Sequence, residues 1–168
     1  MKFRLAVLLF LSLPPGAVAQ EAARCPAPVA GAIAIAGDVS KPFVLTSAVL
    51  AELPRAEIRA EGHGTPAATY SGVPLRALLS RAGVVEGAGI RGRAAAQVIV
   101  VEAGDGYRAS FALAETDTAF TNRPILVADK MDGKPLTAEY GPFQIIVGQE
   151  KRHARWVRQV TCIRVVQM

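Results

Sequence analysis

YGPFQIIVGQEKRHARWVRQV, residues 140–160, decides how the rest of the chain is read. It opens on a breaker, Gly141-Pro142, and then runs apolar through Phe143, Ile145, Ile146 and Val147, the pattern of a buried strand. Gly148 ends that run. The chain then becomes dense in charge and hydrogen-bonding capacity: Gln149, Glu150, Lys151, Arg152, His153, Arg155, Trp156 and Arg158. Strand character returns at Val160, Ile163 and Val165. A cationic loop carrying the only tryptophan is therefore mounted between two core strands, as binding loops usually are. Two readings fit the loop taken alone. Either it is a ligand-binding surface, or it is a solvated basic loop whose tryptophan plugs the core.

The N-terminus reads as an export signal. Lys2 and Arg4 precede an apolar run at 5–13, Pro14-Pro15-Gly16 breaks it, and Ala17-Val18-Ala19 places small residues at the cleavage-determining positions. Cleavage after Ala19 divides the chain into a signal peptide (1–19), an N-terminal arm (20–30) and one domain (31–168), and predicts a periplasmic protein. The apolar run is far shorter than the ~20 residues of a spanning helix. Gly, Pro or charge interrupts every later run, so no membrane span is expected once the signal is removed. The net charge of +5 at pH 7 includes the basic residues of the signal. The mild remainder suits a small anionic ligand, and together with export it argues against nucleic acid. Cys25 and Cys162 lie near opposite ends of the chain. In an oxidising compartment such a pair predicts a disulfide; the alternative is a free Cys162 buried in its strand.

Elsewhere the pattern is of short strands and short helices. Residues 32–35 read as a first strand, and Thr46 can N-cap a short helix that Pro54 stops. Residues 55–60 alternate as a strand. A glycine-flanked loop, Glu61-Gly62-His63-Gly64, follows, and Tyr70-Ser71-Gly72 looks like turn chemistry. Pro74 suits the first turn of a helix carrying Leu75, Leu78, Leu79 and Ala82. Residues 97–102, QVIVVE, and the alternation of Tyr107, Ala109 and Phe111 form a hairpin across Gly104-Asp105-Gly106. Residues 124–128 make another strand, and Asp132-Gly133 a tight turn. Without a regular βαβ alternation, this predicts an α+β fold with a mixed, mostly antiparallel sheet.

Several chemistries are poorly supported. Gly87, Gly89 and Gly92 spell G-x-G-x-x-G, but a helix precedes and a strand follows, the reverse of a dinucleotide fingerprint. His63 and His153 are the only histidines, and no metal-ligand spacing links them to each other or to a cysteine. There is no nucleophile elbow. What remains is the aromatic and cationic loop, in which Trp156 offers a π face and Arg152 and Arg155 offer planar forks. A tryptophan on such a loop is expected to tolerate truncation to alanine.

Six strings in this order, GDVSKPFVLT, ELPRAEIRAEG, YSGVPLRALLSRAGV, VEAGDGYRASFAL, ILVADKMDGKPLTAEYGPFQIIV and RWVRQVTCIRV, resemble the molybdopterin-binding domain of sulfite-oxidase-type oxidoreductases. The resemblance spans nearly the whole of the domain. In those enzymes it implies a cysteine thiolate on molybdenum, from the loop after the strand at 55–60. Here that loop has no cysteine. The size, the export signal and the missing thiolate are similar to those of periplasmic pterin-binding regulatory proteins that signal to a membrane-bound partner. The resemblance therefore implies a pterin ligand without molybdenum, bound non-catalytically and presented to a membrane signalling protein. The alternative is a molybdopterin-dependent oxo-transfer enzyme with an atypical ligand such as His63. Trp156 would stack on the pterin, with Arg155 and Arg152 on its polar atoms and His63 lining the pocket. Glu61 or Asp105 would meet the amino-bearing edge, Asp105 having the competing role of shaping its turn, and Tyr107 beside it joins the candidate contacts.

Overall fold

The computed structural model describes residues 25–62 and 66–168; the signal-like segment and His63 lie outside the described residues. Among the described residues, ten strands form two sheets. In the first, β2 (Phe43–Leu45), β1 (Ile33–Gly37), β10 (Val160–Gln167), β5 (Gln97–Ala103) and β6 (Arg108–Ala112) lie in that order. β1 and β10 run parallel and every other neighbouring pair is antiparallel. In the second, β3 (Ala56–Glu61), β4 (Ala67–Pro74), β7 (Ile125–Met131) and β8 (Lys134–Pro135) follow one another, and β9 (Gln144–Val147) also pairs with β7. All pairs in this sheet are antiparallel. The fold is α+β with mostly antiparallel mixed sheets, as the pattern predicts.

Alternation explains the core. Ile33 and Ile35 of β1, Ile99 and Val101 of β5, and Ile163 and Val165 of β10 turn one face of the first sheet inward. Val73, Leu126 and Ile145 come from the second, and all join a single buried cluster. Two short helices are fixed by local chemistry. Helix α1 (Ser47–Ala51) starts at Thr46, whose hydroxyl accepts the Val49 N–H. Helix α2 (Leu75–Arg81) starts after Pro74 and buries Leu75, Leu78 and Leu79. No described helix is long and apolar enough to cross a membrane.

Two strands depart from the sequence reading. β2 is a short edge strand that the pattern did not mark. β4 is central to the second sheet, although Tyr70-Ser71-Gly72 reads as a turn. Tertiary packing decides it. β7 approaches so closely at the β4 bulge that a Cβ on Gly72 would lie 2.1 Å from the Val127 carbonyl oxygen. Glycine, which sequence rules treat as a strand breaker, is here what lets two strands meet. The glycine string forms two 3-10 turns, Gly87–Gly89 and Gly92–Ala96, rather than a phosphate loop, with the Gly87 N–H given to the Asp117 carboxylate. Cys25 and Cys162 form a disulfide that ties the N-terminal arm to β10.

Candidate functional site

β9 and β10 present the loop at 148–159, and backbone hydrogen bonds fasten both of its ends. The Gly148 N–H reaches the Pro124 carbonyl at 2.8 Å, and Gln149 takes a left-handed conformation to begin the excursion. At the far end the Ile145 N–H donates to Val157 O at 2.9 Å, and the Val160 N–H to Phe143 O at 3.0 Å. A cavity of about 690 Å³ opens between this loop and the second sheet. That volume suits a ligand of two or three fused rings. Its described lining comes from β4 and the residues before it, from the β7–β8 turn, from Tyr140 and Gln144, and from the loop itself.

Trp156 is 7% exposed and belongs to the core cluster while also lining this cavity. Tyr70 packs against it edge-on, with centroids 5.6 Å apart, and the His153 ring lies tilted at 36° over it at 4.2 Å. The core-plug reading of the loop tryptophan therefore holds, with the residue also lining the cavity, and the expectation that it is dispensable to the core is corrected. An indole so enclosed has little open face for stacking, and His153, half-buried on the cavity wall, holds part of what there is. Its Nε1–H is buried and has no acceptor among the described residues. A buried N–H left unpaired costs about 1–3 kcal/mol, and at a cavity wall a ligand atom can satisfy it.

The other candidates divide. Arg152 lines the cavity, with Lys151 beside it, and among the described residues neither takes part in an ion pair. Arg155 is absent from the described lining, and its fork is already engaged. It donates to Glu150 at 2.6 and 2.8 Å and to Glu115 at 3.0 Å, and lies 4.6 Å over the Phe111 ring. Burial by itself raises the Glu115 carboxyl, but the Ala112 N–H and the Arg155 guanidinium outweigh it and hold that group below the usual carboxylate range. Arg155 is thus a clamp on the loop rather than a hand on the ligand. Tyr107 has a related role: its hydroxyl donates to the Ala154 carbonyl and pins the loop to the first sheet. Asp105 shapes its turn by accepting the Tyr107 N–H at 2.9 Å. Glu61 is not among the described lining residues, although Gly62 is. His63 lies outside the described residues.

Sequence reasoning missed Tyr70, Asp132, Tyr140 and Gln144, all of which line the cavity. Asp132 was visible only as a turn former. Gln144, 4% exposed, sits in a strand whose other members are purely apolar. That single amide in a buried run is the signal that could have been used, since buried polar groups are placed where they find partners.

The scaffold is thus an α+β pair of sheets with a ring-sized cavity set against a cationic loop. The chain matches the oxidoreductase molybdopterin binding domain over residues 26–168 and belongs to that family. Among solved structures, that of the sulfane dehydrogenase SoxCD from Paracoccus pantotrophus is similar in fold, with a TM-score of 0.62 at 20% identity. The match covers 82% of this chain and 38% of that one, so this chain spans well under half of that protein's length. No curated protein matches the sequence.

The cavity fits the pterin part of such a cofactor: the volume and a wall that mixes aromatic and apolar side chains with hydrogen-bonding ones agree with a flat heterocycle. A thiolate ligand for its metal does not fit. The chain has only two cysteines, and both are consumed in the Cys25–Cys162 disulfide, with Cys162 in the first sheet. No group of three His, Cys, Asp or Glu side chains suited to a metal occurs among the described residues.

Proposed function

We propose that this domain binds a molybdopterin-type pterin in the cavity beside Trp156. The observation that carries the reading is a ring-sized cavity lined by Trp156, whose buried Nε1–H has no acceptor among the described residues, in a chain of a molybdopterin-binding family. Membership of an oxidoreductase family supports a redox use of that pterin. The pairing of both cysteines limits this reading, because no sulfur of this chain is available to anchor a metal as a thiolate. It also supports a second reading, in which the pterin is carried without molybdenum and without catalysis. Export to the periplasm and delivery to a membrane-bound signalling partner belong to this second reading. They rest on the leader-like N-terminus and on the sequence resemblance.

The test is to make the protein in a host that synthesises molybdopterin, purify it, and analyse both metal and released small molecules. A pterin released in near one-to-one ratio is expected under either reading. Molybdenum at about one atom per chain, with turnover of a sulfur oxyanion or sulfoxide, selects the oxidoreductase; pterin without metal selects the carrier. Protein that releases no pterin and takes none up overturns the proposal.

A further inference from the structure

Charge is distributed unevenly around the cavity. The loop side carries Lys151, Arg152 and Arg158; Arg158 is partly neutralised by Glu139 at 2.8 Å and lies 4.5 Å over the Tyr140 ring. Asp132 is the single carboxylate among the described lining residues. It stands at the β7–β8 turn with φ +49°, followed by Gly133 at +75°, so the turn rather than packing fixes where it points from. Its Oδ1 accepts the Thr69 N–H at 2.8 Å, which leaves Oδ2 to meet a ligand. The adjoining wall is Tyr70, 5% exposed, whose hydroxyl is pushed up chiefly by burial and then by the charges of Tyr140 and Asp132.

We propose that Asp132 is a specificity-determining residue, reading the amino-bearing edge of the heterocycle and selecting 2-amino-4-oxo pyrimidine-fused rings over their 2-oxo counterparts. The proposal rests on the pterin reading of the cavity. The chemistry is directional. A 2-amino group and the neighbouring ring N–H form a fork of donors, and an ionised carboxylate is acceptor-only, so the two match. A 2-oxo ring keeps its ring N–H but sets an acceptor against the same carboxylate in place of the amino donor, so one hydrogen bond is lost and two acceptors face each other. The ring's remaining acceptors then face the Trp156 Nε1–H and the Lys151–Arg152 side, where donors predominate. Glu61 and Asp105, the carboxylates the sequence offered for this task, are not in the described lining, and Asp132 takes it over.

Pterin and lumazine, its 2-oxo counterpart, are the probes, each titrated by calorimetry into the full protein and into Asp132→Asn. Asparagine keeps the turn, since it tolerates positive φ, and its carbonyl can still accept the Thr69 N–H, but it places an NH2 among the donors. The parent protein is expected to prefer pterin by about 10- to 100-fold, the range for a hydrogen bond to a charged group. In Asp132→Asn the preference should fall to within about threefold, mainly through weaker pterin binding. Equal binding of both rings by the parent protein, or a full preference retained in Asp132→Asn, overturns the assignment while leaving the pterin reading standing. If the parent protein binds neither ring, the pterin reading fails and the role of Asp132 fails with it.

Discussion

Trp156→Ala is expected to destabilise the domain by about 3–5 kcal/mol, the usual cost of removing a large aromatic from a packed interior. The side chain is 7% exposed, edge-packed on Tyr70 and overlaid by His153, so its loss leaves a cavity that neighbours on strands cannot close. Domains of this size have about 5–15 kcal/mol in all, and the variant should show a sharply lowered unfolding midpoint. Denaturant titration followed by far-ultraviolet circular dichroism is the measurement, because the only tryptophan is gone. Trp156→Phe separates the two roles. It keeps most of the volume and removes the N–H, so it should remain folded while pterin binding falls about tenfold, the worth of one buried hydrogen bond. Wild-type stability in Trp156→Ala would contradict the core placement. Undiminished binding in a folded Trp156→Phe would contradict the donor role.

The second large effect belongs to the disulfide. Cys25 and Cys162 are 137 residues apart, so the bridge closes nearly the whole described chain. Restricting an unfolded loop of that length is worth roughly 3–5 kcal/mol in the chain-entropy model. The net value should fall toward the lower end, because without the bridge the arm ahead of β1 regains freedom in the folded state too. A Cys25→Ser, Cys162→Ser double variant, or the reduced protein, should melt about 10 °C lower. Thiol counting on the unreduced, denatured protein should find none. Two thiols per chain, or an unchanged melting temperature in the double variant, would reject the bridge or its contribution.

Apart from the short edge strand β2, the strands that build the first sheet were legible because their signals are local. The β-branched run at 97–102 and the alternation at 107–111 meet across a glycine turn, and the structure forms that hairpin. Thr46 and Pro74 mark helix starts that depend on the residue itself. β4 was not legible, because its strand state depends on Val127 and its neighbours, more than fifty positions away, accepting a glycine at close range. The site divides in the same way. A tryptophan among arginines stands out along the chain, so Trp156 and Arg152 were found. Local sequence cannot show that Glu150 and Glu115 already hold the Arg155 fork. Nor can it show that β4 and the β7–β8 turn bring Tyr70 and Asp132 to the loop. Such meetings are decided by sheet register, which no short window contains.

The central claim is that the cavity beside Trp156 holds a pterin, and the single tryptophan allows a direct measurement. Pterin is titrated into the purified, ligand-stripped protein while Trp156 emission is followed, with a folded Trp156→Phe protein assayed in parallel by calorimetry. The account predicts saturable quenching at one pterin per chain and weaker binding in the variant. Tryptophan emission that does not respond to pterin, with no heat of binding, would contradict it.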